Sequence, residues 1–209
     1  MQQLLTAQTR LPGFTGKWEH VSAGEVGRFR GGNGFPLTFQ GEARGSLPFF
    51  KVSDMNNDGN ETFMTTANHR ISEGTQKQLG ATLFPAGSIV LAKVGAAIFL
   101  ERKKILGQPS CIDNNMTALV LDESRAHVRF VHTLLLAKKI GALVSTTALP
   151  SLNGRQLSQI SFELPPLPEQ IVLTDMDAEL TTLEQRRDKT RLLKQGMMQE
   201  LLTGRTRLV

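Results

Sequence analysis

The side chains best suited to chemistry in this chain are cations set beside glycine turns. Arg28-Phe29-Arg30-Gly31-Gly32-Asn33-Gly34 places two guanidiniums next to a permissive backbone. A guanidinium forks onto guanine or phosphate, and glycine lets backbone amides approach a phosphate. The plainer alternative is a tight turn with solvated arginines. Arg102-Lys103-Lys104 follows an apolar run ending at Leu100. Three adjacent cations would neutralise phosphates without reading sequence, or would simply end a solvated hairpin. Lys51 and Lys93 sit at or beside β-type runs, from which they can point into a cleft. Asn153 and Arg155 flank a glycine in a polar loop, and these types suit adenine and guanine. Asn114 and Asn115 precede an apolar strand, a place where asparagine satisfies local backbone groups. Trp18 reads as a core anchor, and Phe49, Phe50 and Phe99, inside apolar runs, read as core.

Catalytic readings fail on named absences. An adenine amino-methyltransferase needs Asn/Asp-Pro-Pro-Phe/Tyr, but the Pro-Pro here lies between Leu164 and Leu167. A glycine-rich strand end of the type that grips S-adenosylmethionine is missing, and Gly31-Gly32-Asn33-Gly34 does not fit GxGxxG. Glu101-Arg102-Lys103 has the E-x-K form of a metal-dependent nuclease, yet the nearest upstream aspartate is the distant Asp58. His20, His69, His127 and His132 lack ligand spacing. Cys111, the lone cysteine, makes neither an internal disulfide nor a metal cluster, which fits a reducing cytoplasm.

The elements that must position these residues follow from pattern. A chain of 209 residues suits one large domain, or a domain with an extension. Its net charge of +5 lies entirely in residues 1–165, which hold 17 Lys/Arg against 12 Asp/Glu; residues 166–209 hold 7 of each. A basic globule joined to a neutral helical part points to an anionic partner for the first and a protein partner for the second. Residues 13–165 read as a mixed α/β globule. Strands are expected at 49–52, 88–92, 97–100, 116–121 and 160–164, a helix from Arg125 to Ile140, and one helical turn at 156–159. Neither a signal-peptide pattern nor a run of ~18 apolar residues is present.

Beyond Leu164-Pro165-Pro166-Leu167-Pro168-Glu169-Gln170 the pattern changes. Pro168 suits the first turn of a helix and Glu169 its positive end. From there to about Leu202 the chain has no proline and one glycine, Gly196. That predicts a helix of roughly 34 residues, about 50 Å. Met176, Leu183, Thr190 and Met197 recur every seven residues, and Leu180 and Leu201 sit four after members of that column. The stripe, interrupted at Arg187 and Lys194, suits a partner helix with polar matches of its own. Residues 1–12 also align without a gap on 198–209, with eight of twelve positions identical. The expectation is one unit of a repeat, beginning inside the tail of a preceding unit and derived from a two-unit parent or a self-assembling half.

Taken in order, these features resemble the specificity subunit of type I restriction-modification enzymes. The resemblance rests on Leu11-Pro12 with Trp18, Leu47-Pro48-Phe49-Phe50-Lys51-Val52-Ser53-Asp54-Met55, Asp113-Asn114-Asn115-Met116, Leu152-Asn153 leading to Ile160, the Pro-rich string, and Leu201-Leu202-Thr203-Gly204. It implies an α+β fold: a mixed α/β target-recognition domain (13–165) followed by a long coiled-coil-forming helix (166–209) for dimerisation and spacing, with 1–12 the remnant of a preceding helix end. It implies a non-catalytic reader of one half of a bipartite double-stranded DNA site. Partners would be methyltransferase subunits, a motor-nuclease subunit and a second copy of the chain, with no membrane. S-adenosylmethionine, ATP and Mg would belong to those partner subunits and no cofactor to this chain. The family departs from this chain in size, since its members carry two such domains and two long helices. Alternatives are a structural half that only dimerises, or a stand-alone nuclease or methyltransferase. Candidate DNA contacts are Arg28, Arg30, Asn33, Lys51, Lys93, Arg102, Lys103, Lys104, Asn153 and Arg155. Candidate dimerisation residues are Met176, Leu180, Leu183, Met197 and Leu201.

Overall fold

Short apolar runs cut by Gly, Pro and Asn cannot support long strands, and the described residues of the computed structural model form ten short ones in three small sheets. It describes residues 10–42, 44–144 and 150–203. Most of the terminal repeat therefore lies outside the described residues. Strands β1 (Glu19–Ser22) and β10 (Ser161–Leu164) pair antiparallel and bring the two ends of the globule together. The five-stranded sheet runs β2 (Gly27–Gly31), β9 (Met116–Leu121), β6 (Ile89–Ala92), β7 (Lys103–Leu106), β4 (Phe63–Met64). A third sheet orders β5 (Arg70–Ile71), β3 (Leu47–Phe50) and β8 (Cys111–Ile112).

The central strand β6 is buried on both faces, which is why it reads as an unbroken apolar run. Ile89 and Leu91 face one core, shared with Leu119, Ile105 and helix α3 (Val128–Leu136). Val90 faces a second core with Phe50, Met64, Phe84 and Met116. Helices α1 (Ala23–Val26), α2 (Glu73–Leu79) and α4 (Gly154–Ser158) are short. The helix expected from Arg125 to Ile140 is shorter than its apolar face suggested. Asp122 holds the amides of Arg125 and Ala126 in a turn at one end, and Glu101 takes the Ile140 amide at the other. Residues 97–100, expected as a strand, form a 3-10 turn (Ala96–Leu100).

Helix α5 spans Leu167–Leu202, 36 residues. The Pro-rich string that precedes it is a joint built from buried polar contacts. Leu164 is buried at the end of β10, and Pro166 is the N-cap residue. Glu169 is fully buried and pairs with Arg10 at 2.8 Å. Gln170, also fully buried, accepts from the His127 amide at 2.7 Å and donates to the carbonyls of Arg125 (2.9 Å) and Pro165 (2.8 Å). One amide side chain thus satisfies three backbone groups from two segments, each of which would be costly to leave bare. Leu173 and Thr174 complete the docked face. From 179 to 200 every residue is exposed.

Candidate nucleic-acid interface

Strand register decides which candidate side chains meet. Gly31 is level with Thr117, Ala92 with Met116, and Leu91 with Lys103. The C-terminal ends of β2 and β6 and the N-terminal ends of β7 and β9 therefore share one end of the five-stranded sheet. The residues just beyond them are Gly32-Asn33, Lys93, Arg102 and Asn114-Asn115. Residues 150–155 join the same end. The Lys93 carbonyl accepts from the Leu152 amide at 2.9 Å, Val94 bridges Ser151, and a Cβ on Gly154 would stand 3.7 Å from that of Phe29. The Lys93 ammonium lies over Gly31, 2.7 Å from where a Cβ would stand.

On β2, Phe29 turns toward the first core, so Arg28 and Arg30 take the opposite face, in register with Val120 and Ala118. Both are exposed and line an open groove of ≈ 800 Å³ walled by Thr82–Pro85. Glu25 and Asp122 stand at its rim. Arg155 is exposed on α4 beside β2. This group of cations can form ion pairs with phosphate or forked bonds with guanine.

Other candidates are committed elsewhere. Lys103 is the clearest correction. Its side chain has no solvent exposure, and its ammonium donates to Glu101 Oε2 at 2.6 Å and the Lys138 carbonyl at 2.8 Å. It braces the fold and cannot meet a phosphate. The E-x-K triplet is thus a latch whose two ends hold each other. Burial pushes the Glu101 carboxyl up, but Lys103 and the amides of Gly141 (2.8 Å) and Ile140 (3.0 Å) outweigh this and hold it below the usual range. Lys104 donates to the Glu61 carbonyl; burial, then repulsion from Arg102, pulls its ammonium below the usual lysine value. Of that triplet only Arg102, half-buried, remains available.

Asn33 spends its side chain locally, accepting from the Thr82 amide at 2.8 Å and donating to the Gly80 carbonyl at 3.3 Å. The amides of Gly32 and Asn33 are taken by Met116 and Ile112 carbonyls, so this loop is no phosphate cradle. Gly32 is required for space instead, since a Cβ there would lie 2.1 Å from the Asp113 carbonyl oxygen. Lys51 donates to Gln40 Oε1 at 2.9 Å. Asn153 caps α4 through the Gln156 amide, and Gln156 returns a bond to the Asn153 amide. Asn115 likewise binds Asp113, through both its amide and its side chain.

Two features of this end were missed by sequence reading. Phe49 and Phe50 are fully buried, but Phe99, expected in the core, is 54% exposed beside Leu100 at 57%. Lys138 and Lys139 are exposed on the segment that Glu101 and Lys103 hold. Among the described residues, no helix is long and apolar enough to cross a membrane and no cluster could hold a metal ion.

The comparison with known families decides the identity of this arrangement. The family model of the type I restriction modification DNA specificity domain matches residues 15–192. The chain belongs to that family. Its members confer DNA specificity and are not themselves catalytic. Three solved structures share the fold. A chain from a study of assembly and conformational transition in a type I R-M system matches with TM-score 0.65 and 17% identity, over 95% of this chain and 50% of that one. The HsdS subunit from Thermoanaerobacter tengcongensis matches with TM-score 0.55 and 20% identity, over 90% and 41%. The type I S subunit from M. genitalium matches with TM-score 0.58 and 13% identity, over 95% and 49%. The specificity domain described here thus spans about half the length of each or less.

Proposed function

We propose that this specificity domain reads one half of a bipartite DNA site with the loop end of its five-stranded sheet. Two copies would be joined through α5, and the pair would dock methyltransferase subunits. In this reading 13–165 is the target-recognition domain, 166–209 the dimerisation and spacing helix, and 1–12 the end of an equivalent helix. The observation that carries the DNA half is the gathering of Arg30, Lys93, Arg102 and Arg155 at one end of one sheet. Of the acids about them, Glu101 is spent on the Lys103 latch and buried Asp113 on Asn115, while Glu25 and Asp122 line the groove of Arg30.

The helix supports the pairing half. Met176, Leu180 and Leu183 lie beyond the docked turn of the helix and are 40%, 44% and 52% exposed. Met197 is exposed and Leu201 half-buried farther along. The zero net charge of residues 166–209 conceals a split. Residues 167–185 carry Glu169, Asp175, Asp177, Glu179 and Glu184 and no Lys or Arg; Arg186, Arg187, Lys189, Arg191 and Lys194 follow, with Asp188 and Glu200 among them. A second copy running antiparallel sets each acidic half against a basic half. Two identical domains then present one surface twice, so the site is an interrupted palindrome.

Site selection from a random duplex pool, with the chain reconstituted with its methyltransferase, tests this. A palindrome with a fixed spacer is expected. Arg30→Ala, Lys93→Ala and Arg155→Ala should each weaken binding and reduce the salt slope by about one. An asymmetric site would overturn the homodimer, and unchanged binding in all three variants would move the DNA face elsewhere.

A further inference from the structure

The exposed pair Phe99–Leu100 sits on a turn that is built rather than loose. Two residues with positive φ bracket it, Gly95 at 74° and Glu101 at 54°. For glutamate this is a strained backbone, held only where the surroundings over-determine it. Here they do, because the carboxylate of Glu101 is bound by the Lys103 ammonium and by the Ile140 and Gly141 amides. Phe99 rests on Gly141, where a Cβ would come within 2.9 Å of the ring. The ring is thereby fixed at its base while Phe99 as a residue stays 54% exposed. Its rim is cationic, with Arg102 two residues after Leu100 and Lys138 and Lys139 on the segment clamped by Glu101 and Lys103. The acid within the turn is Glu101, already engaged. An apolar tip with a positive rim is complementary to a base step flanked by phosphates.

We propose that the turn Ala96–Leu100 is a wedge that enters the duplex and unstacks a base step, with Arg102, Lys138 and Lys139 holding the phosphates on either side. This rests on the DNA-binding reading above. It differs from phosphate contact in what it demands of the DNA, because a wedge must separate stacked bases, at a cost set by how well they stack.

The test uses the full chain, a dye-labelled duplex of random sequence, and the same duplex with one mismatched base pair. A mismatch removes part of the unstacking cost, so the unaltered chain should bind that duplex roughly tenfold more tightly. Phe99→Ala and Leu100→Ala should each bring the ratio toward one, while Phe99→Leu, which keeps an apolar tip, should retain part of it. Arg102→Ala should weaken both duplexes alike and leave the ratio standing. Leu100 is exposed enough that its truncation spares the fold, so the Leu100 variant decides the matter if Phe99→Ala unfolds. Equal binding of both duplexes by the unaltered chain, or a preference that survives both alanine variants, overturns the wedge while leaving DNA binding intact. A surviving preference with a lower mass by light scattering in Phe99→Ala would assign the tip to protein contact. Binding of neither duplex would instead remove the DNA reading itself, and the wedge with it.

Discussion

The two halves of α5 are one continuous helix under opposite conditions. In the first twelve residues Glu169, Gln170, Leu173 and Thr174 are buried, and the polar ones among them are matched to named partners. From 179 to 200 every side chain is exposed, including Leu180, Leu183, Leu192, Leu193 and Met197. The docked half is held by a few specific bonds, whereas the free half carries an apolar, charge-split and solvent-exposed surface. Such a surface gains little from the globule and much from a second helix. The first half positions the helix; the second is the part that the proposed pairing would cover.

The largest effect is expected where the halves join. Gln170→Ala strips partners from the His127 amide and the Arg125 and Pro165 carbonyls, and should destabilise the chain by about 3 kcal/mol in urea melts. A loss below about 1 kcal/mol would mean that water replaces the amide. Next, Leu180→Asp with Leu183→Asp should abolish self-association by light scattering while the globule's melt stays within about 0.5 kcal/mol. Unaltered chain that is monomeric at high micromolar concentration would remove the contrast between the halves. Gly196→Ala is a smaller probe. A Cβ there meets nothing in the described residues, so the isolated helix should gain just under about 1 kcal/mol. If a partner helix approaches closely at that point, the same change should weaken the dimer.

The gentlest test is pH. Burial holds His132 on α3 below the ordinary histidine value of 6.5, with Nε2–H donating to the Lys103 carbonyl at 2.8 Å. The native state keeps it neutral where the unfolded chain would take a proton. Stability is therefore full above pH 6.5 and should fall as pH drops below it. His132→Gln, which keeps a donor, should flatten that slope. Hydrogen exchange should show the loss in α3 and the docked turns of α5, with the free half indifferent.

Much of this was legible in the residues. Strand β9 begins and ends where its apolar run does, and the long helix starts within a residue of Pro168, because both signals are local. The turn at Ala96–Leu100 was misread because its apolar run fits a strand equally well. What excludes the strand is positive φ at Gly95 and Glu101, and the Glu101 conformation depends on contacts some 40 residues away. The burial of Lys103 left a signal that went unused. Alternation along β7 puts Lys103 on the face of Ile105, so one of three adjacent cations had to point inward. Gly32 reads as a phosphate-binding glycine until Asp113 is seen pressed against it. The charge split along α5 is plain in the sequence but vanishes when the charges of 166–209 are summed.

The joint at Pro165–Gln170 also has an angular consequence. A helix of 36 residues is a lever roughly 54 Å long, fixed at its base. Tilting that base by about 10° carries the far tip roughly 9 Å, nearly three base-pair steps along a duplex. If the helix sets a spacing, as proposed, it would be only as accurate a ruler as its hinge is stiff. The three bonds of Gln170 and the buried pair at Glu169 therefore decide more than whether the helix stays attached. In the proposed dimer they would set by how many base pairs the helix could misjudge a distance.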